Sequence, residues 1–569
     1  MKSRYLIIYF LILLTFSTSA QTVKPDHWDE IITEPWFYGS IDGKPAFVYL
    51  KENSVEENYF FVADNAIPEI IPVIVKWKTG DPCSASFRFH GKKIKAKFIG
   101  RVKNDTLAGY LKTSKKNAIH LGVSPRLAVF MEKEKPQPRA ATPLRYTTPV
   151  FARASVTKDI DYGAATGYYV SMPVETEGYD YQQILLDAMS KMYVNPTKAA
   201  IVHIFNQDPL SFALTDFQPL RMDIYQPLSD TRTNRPLIML LHGGAFILGD
   251  KATETIEELA RDFARKGYVV AAINYRIGFN PASKSSLERA AYRAVQDARA
   301  ALRFLAYNKD LYGIDPNWVF LAGSSAGAIT ALNTAFMKDE ERPESSRRNI
   351  FRAQVDLGGL DESTNSVVAD YTVRAVVNLW GALSDTNLID RNENIPVLSV
   401  HGNADRIVPY NVAYPFLDMD TNVTSNIMTK LYGSYPVHQR LTHLGIRSEL
   451  ITLPGAGHEP QYEPGKYDPV IDTIINRSTG FYFRSLFSYP DISGPKEVAQ
   501  GMPLATYTLS FNNDMTAAWY VDGGKILPDA DKRSIRVCWL TGKNGTVSAI
   551  LEHKNGAGAE VRVPVKFRE

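Results

Sequence analysis

Ser325 stands at the centre of Gly323-Ser-Ser-Ala-Gly327, between the apolar run Trp318-Val-Phe-Leu-Ala322 and a helix-like stretch that begins at Ala328. A turn this tight between strand and helix strains the backbone of its central residue, and glycine-sized neighbours at Gly323 and Gly327 let the two elements approach. The pattern is that of a nucleophile elbow. A serine hydroxyl is a poor nucleophile at neutral pH, so acyl transfer needs a histidine to take its proton and a carboxylate to orient that histidine. Candidates for both lie downstream. His458, in Pro454-Gly-Ala-Gly-His-Glu459, follows the apolar Leu450-Ile-Thr-Leu453 and so sits at the carboxyl end of a strand, where open α/β sheets place their ligands. Asp405 lies in the loop that leaves the strand-like Pro396-Val-Leu-Ser-Val-His401.

Upstream, Leu237-Ile-Met-Leu-Leu-His-Gly-Gly-Ala-Phe246 is a strand followed by paired glycines. Gly243 and Gly244 would form a turn whose bare N–H groups face a developing oxyanion, with the Ala326 N–H as the donor beside the nucleophile. Each residue also has a plainer reading. Asp405 could cap the turn that follows it, and His458 could be an ordinary surface histidine. His242 reads as a hydrogen-bonding residue beside the turn, and His401 as a core residue of the Asp405 strand, or one that supports the reacting residues from behind, rather than a base. What favours the chemical reading is that four separate strand-end signals occur in the order one mechanism requires.

Those residues need a sheet to hold them. After about residue 150, apolar strands (Leu237–Leu241, Val269–Asn274, Val319–Ala322, Ala375–Leu379, Val397–His401, Glu449–Leu453) alternate with amphipathic stretches, the signature of a mostly parallel sheet covered by helices. Thr253–Lys266 and Ser286–Tyr307 read as covering helices, and Tyr467–Phe487 as one that closes the sheet's last edge. From Trp36 to about Val129, short alternating runs predict antiparallel hairpins, and the proline- and charge-rich 132–143 a linker. The last 80 or so residues revert to alternation with Gly-rich turns and predict a β-sandwich, with Pro564 suited to an edge strand. The predicted domains are a signal peptide at 1–20, a β domain and linker at 21–140, an α/β catalytic domain at 141–488 and a β-sandwich at 489–569.

Composition bounds the rest. With 569 residues, 45% of them hydrophobic and 22% charged, the chain has the makeup of a multidomain globular protein. Lys2 and Arg4, the apolar Tyr5–Phe16 and Ser17-Thr-Ser-Ala20 form the three regions of a secretory signal peptide, too short an apolar run for the ~20 residues of a spanning helix. Cleavage after Ala20 would take the formal charge from +3 to +1, leaving no basic excess for nucleic acid. Cys83 and Cys538 are the only cysteines; they read as unpaired core residues and offer no zinc-site spacing.

Through His242-Gly-Gly-Ala-Phe246, Asn274-Tyr-Arg276, Gly323-Ser-Ser-Ala-Gly327, His401-Gly-Asn-Ala-Asp405 and Gly457-His458, the chain resembles the α/β-hydrolase superfamily. The likeness is to secreted esterases of the carboxylesterase and hormone-sensitive-lipase-like kind. The resemblance implies Ser325 as nucleophile, His458 as general base and then acid, and Asp405 as the orienting acid. It further implies an oxyanion turn of Gly243, Gly244 and Ala326, an acyl-enzyme intermediate, and no cofactor or metal. Many relatives have a third glycine where this chain has Ala245, which leaves Gly244 or Ala245 as the second upstream donor. Only ~13 residues separate Leu383 from Pro396, so no large lid fits there; Asp180–Tyr193 and the 407–448 excursion are the segments that could roof a pocket. The last domain loosely resembles the polycystic-kidney-disease and immunoglobulin-like modules of secreted hydrolases, which can contact carbohydrate or a surface. The expected substrate is a small or polymer-linked ester. Two other readings stand beside this one: a noncatalytic binding or adhesion protein on a hydrolase scaffold, and a serine peptidase of the prolyl-oligopeptidase type.

Overall fold

The computed structural model describes eight strands between residues 36 and 133. Beyond them it describes residues 140, 142, 144–168, 215–279, 284–348, 355–418, 424–425, 428–462, 470–499, 504–527, 532–539 and 544–568. The expected signal peptide and the expected helix at Asp180–Tyr193 lie outside the described residues.

The strands Arg235–Leu241, Val269–Ile273 and Val397–Gly402 are buried at every position, as a sheet sandwiched between helices requires. We number the central strands β1 (Ala154–Tyr168), β2 (Thr215–Pro227), β3 (Arg235–Leu241), β4 (Val269–Ile273), β5 (Ile314–Ser324), β6 (Val373–Leu379), β7 (Val397–Gly402) and β8 (Ser448–Leu453). Their spatial order is 1-2-4-3-5-6-7-8. Strands β3 to β8 run parallel, and β2 pairs antiparallel with both β1 and β4. This is the mostly parallel, helix-covered sheet that the alternation of strands and helices predicts. Crossovers place α1 (Glu254–Arg265), α2 (Lys284–Tyr307), α3 (Ala326–Phe336), α4 (Ser434–His443) and α5 (Val470–Leu486) on its faces.

Helix α1 shows why. Ile256, Leu259, Ala260, Phe263 and Ala264 recur at three- and four-residue spacing and are buried, while Glu254 and Glu257 favour its N-terminal turn and Arg265 its C-terminal turn. Helices α2 and α3 cover one face with Val295, Leu302 and Leu332. The other face is covered by α1 and α5 through Phe263, Phe481 and Tyr482. The expectation that 467–487 closes the sheet's edge is corrected here. Helix α5 lies across the middle of the sheet, its Tyr482 hydroxyl donating to the Leu321 carbonyl at 2.8 Å and its ring 4.7 Å from that of Phe320. Large aromatic residues on successive turns need a broad surface, which an edge strand lacks.

Between residues 36 and 133 an antiparallel meander closes into an eight-stranded barrel, the first strand, Trp36–Ile41, pairing with the last, Arg126–Lys133. Beyond α5, two four-stranded sheets pack against each other through Tyr507, Val537, Val547 and Val565. Pro564 does not lie on an edge strand, since Gly558–Arg568 pairs with Asn544–His553 on one side and Glu497–Ala499 on the other. The proline is tolerated because the second pairing starts only at Lys566, whose N–H bonds the Lys496 carbonyl. Position 564 faces the same way, one step before a partner begins. Cys538 is buried and unpaired, and burial pushes its thiol pKa up to about 12. No helix among the described residues is long and apolar enough to cross a membrane.

Candidate active site

Strand β5 ends at Ser324, α3 begins at Ala326, and Ser325 alone makes the turn, with φ 53° and ψ −119°. This is a region that a non-glycine residue occupies only at a cost in strain. Two glycines permit it. A Cβ on Gly323 would lie 2.3 Å from the Gly327 carbonyl, and one on Gly327 would lie 2.2 Å from the carbonyl oxygen of Leu241. The start of α3 is thereby pressed against the ends of β5 and β3, and Ser325 is 2% exposed.

His458 Nε2 lies 3.0 Å from Ser325 Oγ, and His458 Nδ1 lies 2.7 Å from Asp405 Oδ2. The protons follow from chemistry. A carboxylate only accepts, so Nδ1 carries the N–H and Nε2 offers its lone pair to the serine hydroxyl. Asp405 is fixed from its other oxygen, Oδ1 accepting from the N–H groups of Ile407 at 2.8 Å and Val408 at 3.0 Å. It therefore caps its own turn and also meets His458, so its two sequence readings coexist. Burial works against ionisation of Asp405, but His458 and His401 overcome it and hold the carboxyl well below its ordinary range. Burial likewise opposes the His458 imidazolium, and Asp405 outweighs it, so this histidine's pKa is raised.

The upstream turn lies against the nucleophile. A Cβ on Gly243 would sit 3.5 Å from Ser325 Cβ. Gly244, Ala245 and Phe246 all have positive φ, of 111°, 52° and 60°, and the Gly244 carbonyl accepts from Ile247 and Leu248. That winding leaves the N–H groups of Gly244 and Ala245 without an acceptor among the described residues. As the first residue of α3, Ala326 also has no helical carbonyl behind it to bond. Asn274-Tyr-Arg276, legible only as a family resemblance, acts as a brace here. Asn274 Nδ2 donates to Asp250 at 2.7 Å, the Tyr275 hydroxyl to the His242 carbonyl at 2.7 Å, and Arg276 pairs with buried Asp297 at 2.8 Å. His242 itself stacks on Tyr275 with ring centroids 4.3 Å apart.

A cavity of about 400 Å³ reaches this group only through neighbouring residues, with Ser325, Asp405 and His458 outside its lining. Phe246 of the glycine turn and Ile329, one helical turn beyond Ser325, line it together with Leu287, Val295 and Leu388. The 407–448 excursion contributes Pro415, Thr429 and Leu431 to its wall, tied down where Leu431–Gly433 pairs with Ala382–Leu383. The contacts of Ser434 and Asn378 near Asp405 were not legible in sequence, because neither residue stands in a motif or at a telling spacing.

A serine, a histidine and a carboxylate meeting at the strand ends of a mostly parallel sheet, beside a turn with free N–H groups, is an arrangement also found in hydrolases that work through an acyl-serine. Residues 222–418 match the family model described as BD-FAE. The chain is similar to the probable isoprenylcysteine alpha-carbonyl methylesterase ICME of Oryza sativa subsp. japonica, with 29% identity over 32% of this chain and 43% of that protein. It is also similar to esterase LipC of Mycobacterium tuberculosis, with 25% identity over 35% of this chain and 51% of that one. The chain thus spans about half or less of the length of these curated relatives. Among solved structures, the Thermogutta terrifontis esterase 2 phosphonylated by cyclosarin matches 46% of this chain and 88% of its own, with 20% identity and a TM-score of 0.31.

Proposed function

We propose that this protein is a secreted serine hydrolase that cleaves carboxylic esters through an acyl-enzyme. The observation that carries the reading is the hydrogen-bonded line from Ser325 Oγ through His458 to Asp405 Oδ2, 3.0 Å and 2.7 Å long. His458 Nε2 takes the hydroxyl proton as Ser325 attacks the ester carbonyl, and Asp405 stabilises the imidazolium so formed. The N–H groups of Ala326 and of Gly244 or Ala245 receive the oxyanion, with Gly243 keeping that turn close to the serine. The imidazolium then protonates the leaving alkoxide. Water enters by the reverse sequence, its proton passing to His458, and the acid leaves. Signal-peptide export, separate β modules at 21–140 and 489–569, and an immunoglobulin-like character for the latter belong to the same proposal.

Because a protonated His458 cannot accept the serine proton, kcat/KM should rise with pH along a single limb. Its midpoint should lie above the ~6.5 of a free imidazole, since Asp405 raises this pKa against burial. A pH–rate profile on a p-nitrophenyl ester checks this, and a limb centred well below 6.5 contradicts it.

The cavity is the site of the acyl chain in this reading. Its walls are mostly apolar, with Glu288, Glu341 and Asp385 among them, so it should take uncharged acyl groups and repel anionic ones. Each methylene added from acetyl to hexanoyl should raise kcat/KM about 4-fold, from ~0.8 kcal/mol per buried CH₂. A p-nitrophenyl ester series, run beside feruloyl and acetyl-xylan substrates, makes the test. A flat series would remove the cavity from the acyl site.

A further inference from the structure

His401 is completely buried four residues before Asp405, and it shares the oxygen that orients His458. Its Nε2 lies 3.1 Å from Asp405 Oδ2 and 3.1 Å from the Val408 carbonyl, while its Nδ1 lies 2.7 Å from Ser434 Oγ. Both partners of Nε2 can only accept, so Nε2 carries a proton; in the neutral imidazole Nδ1 then accepts from the Ser434 hydroxyl, whose other acceptor, the Gly381 carbonyl, is farther away at 3.4 Å. Ser434 in turn accepts from Asn378 Nδ2 at 2.9 Å, and Asn378 Oδ1 accepts from the Gly381 N–H at 3.0 Å. Every donor along the line has an acceptor, from the β6 exit through α4 to the acid. The tautomer is therefore set by structure outside the line of the three reacting residues.

From this geometry we infer that His401 is a positioning residue, a second N–H donor on Asp405 Oδ2 that sets how strongly the carboxylate holds His458. The inference rests on the serine-hydrolase reading of Ser325, Asp405 and His458. Asp405 Oδ2 divides its acceptor capacity between two histidines, the shorter contact going to His458 at 2.7 Å and the longer to His401 at 3.1 Å. A carboxylate that already accepts one N–H is a weaker base toward the next. His401 thereby lessens the pull that Asp405 exerts on the His458 imidazolium, and it helps hold the carboxylate oxygen in place against Nδ1. Charged and titratable groups around the pair are few. Glu459 faces His458 from its own loop, the Tyr410 ring stands edge-on to His401 with centroids 5.6 Å apart, and α4 contributes only neutral Ser434. No described cation stands in for the lost donor.

His401→Leu removes the donor at similar volume. Asp405 then becomes more basic and His458 harder to deprotonate, so the acid limb of kcat/KM should move up by roughly half to one pH unit, with kcat on the plateau falling about 3- to 10-fold. The shift is modest because the lost bond is long and shared with Val408. His401→Gln places an amide N–H near the Nε2 position and should restore the wild-type limb. A purely structural role would lower Tm in both variants and leave both limbs unmoved, and that outcome overturns the inference. Should His401→Leu fail to fold, ¹⁵N NMR of the wild-type imidazoles at pH 8 decides. The His401 Nε2–H tautomer is expected, and an Nδ1–H tautomer overturns the inference because Nε2 could then donate nothing. Failure of the underlying reading looks different, since wild type and Ser325→Ala would then turn over the ester equally.

Discussion

Ser325→Ala should lower kcat on a good p-nitrophenyl ester by about 10⁴- to 10⁶-fold, with little change in KM or Tm. The size follows from how the three residues act as a unit. Once the nucleophile is gone, His458 and Asp405 have no proton to move, and only the residual catalysis of the oxyanion turn and of binding is left. Stability should be spared, because the strained φ of 53° at position 325 is no harder for alanine than for serine, and the hydroxyl's contact is with His458. Single-turnover measurements against wild type provide the check, with active-site titration to exclude contaminating wild-type enzyme. A variant retaining more than one hundredth of wild-type turnover would take Ser325 out of the role of nucleophile.

The second large effect is on the fold that holds Ser325. Gly327→Ala places a methyl 2.2 Å and 2.4 Å from the carbonyl oxygens of Leu241 and His242. Neither atom can turn away, since both belong to the backbone at the exit of β3. Relief requires α3 to back off from the sheet, at a cost on the order of 3 kcal/mol or more. For a domain of this size that lowers Tm by roughly 4 °C or more. Activity should fall further than stability, because α3 carries Ser325 with it and a displacement of about 1 Å at a reacting atom costs about 10²-fold. Gly480→Ala is the matched control. There the added methyl meets only the end of the flexible Arg484 side chain, at 3.4 Å, and alanine should stabilise the helix interior by up to about 1 kcal/mol. Differential scanning calorimetry of both variants separates the two cases. Equal behaviour would mean that helix and strand do not approach as described.

The contrast between those glycines shows what a sequence can disclose. Gly323 and Gly327 were legible because they bracket a serine at a strand-to-helix junction, and Asp405 and His458 because each directly follows a run of apolar residues. Strand ends are written locally. Pairings that depend on distant partners are not. Strand β1, Ala-Ser-Val-Thr-Lys-Asp-Ile-Asp-Tyr, has little apolar alternation and becomes a strand only because β2 lies beside it, so it escaped detection. Helix α5 was legible as a helix, but its position over the sheet's middle is fixed by Phe320 and Leu321, some 160 residues earlier. The strand context of His401 implies a core residue or a support for the reacting residues, and it is fully buried. Its contact with Asp405 was hidden because it depends on a bend of the chain after Gly402 and on Ser434 from another helix.

The C-terminal pair of sheets has a definite address on this molecule. Asn555 accepts from the Tyr146 hydroxyl at 2.8 Å, Lys554 accepts from Arg232 at 2.9 Å, and His553 stands against Trp318 with ring centroids 6.3 Å apart. Arg232 lies three residues before β3 and Trp318 just before Val319, where β5 pairs with the start of β3, whereas Ser325 and the Gly243–Gly244 turn lie past the ends of those strands. Seven residues of β3 at about 3.3 Å each set the two regions roughly 20 Å apart on opposite poles of the sheet. The module and the proposed active site thus stand at opposite poles of the sheet. A ligand held on that module would therefore lie at the pole of the sheet remote from Ser325, and deleting the module should change attachment to such a ligand without altering the geometry around Ser325.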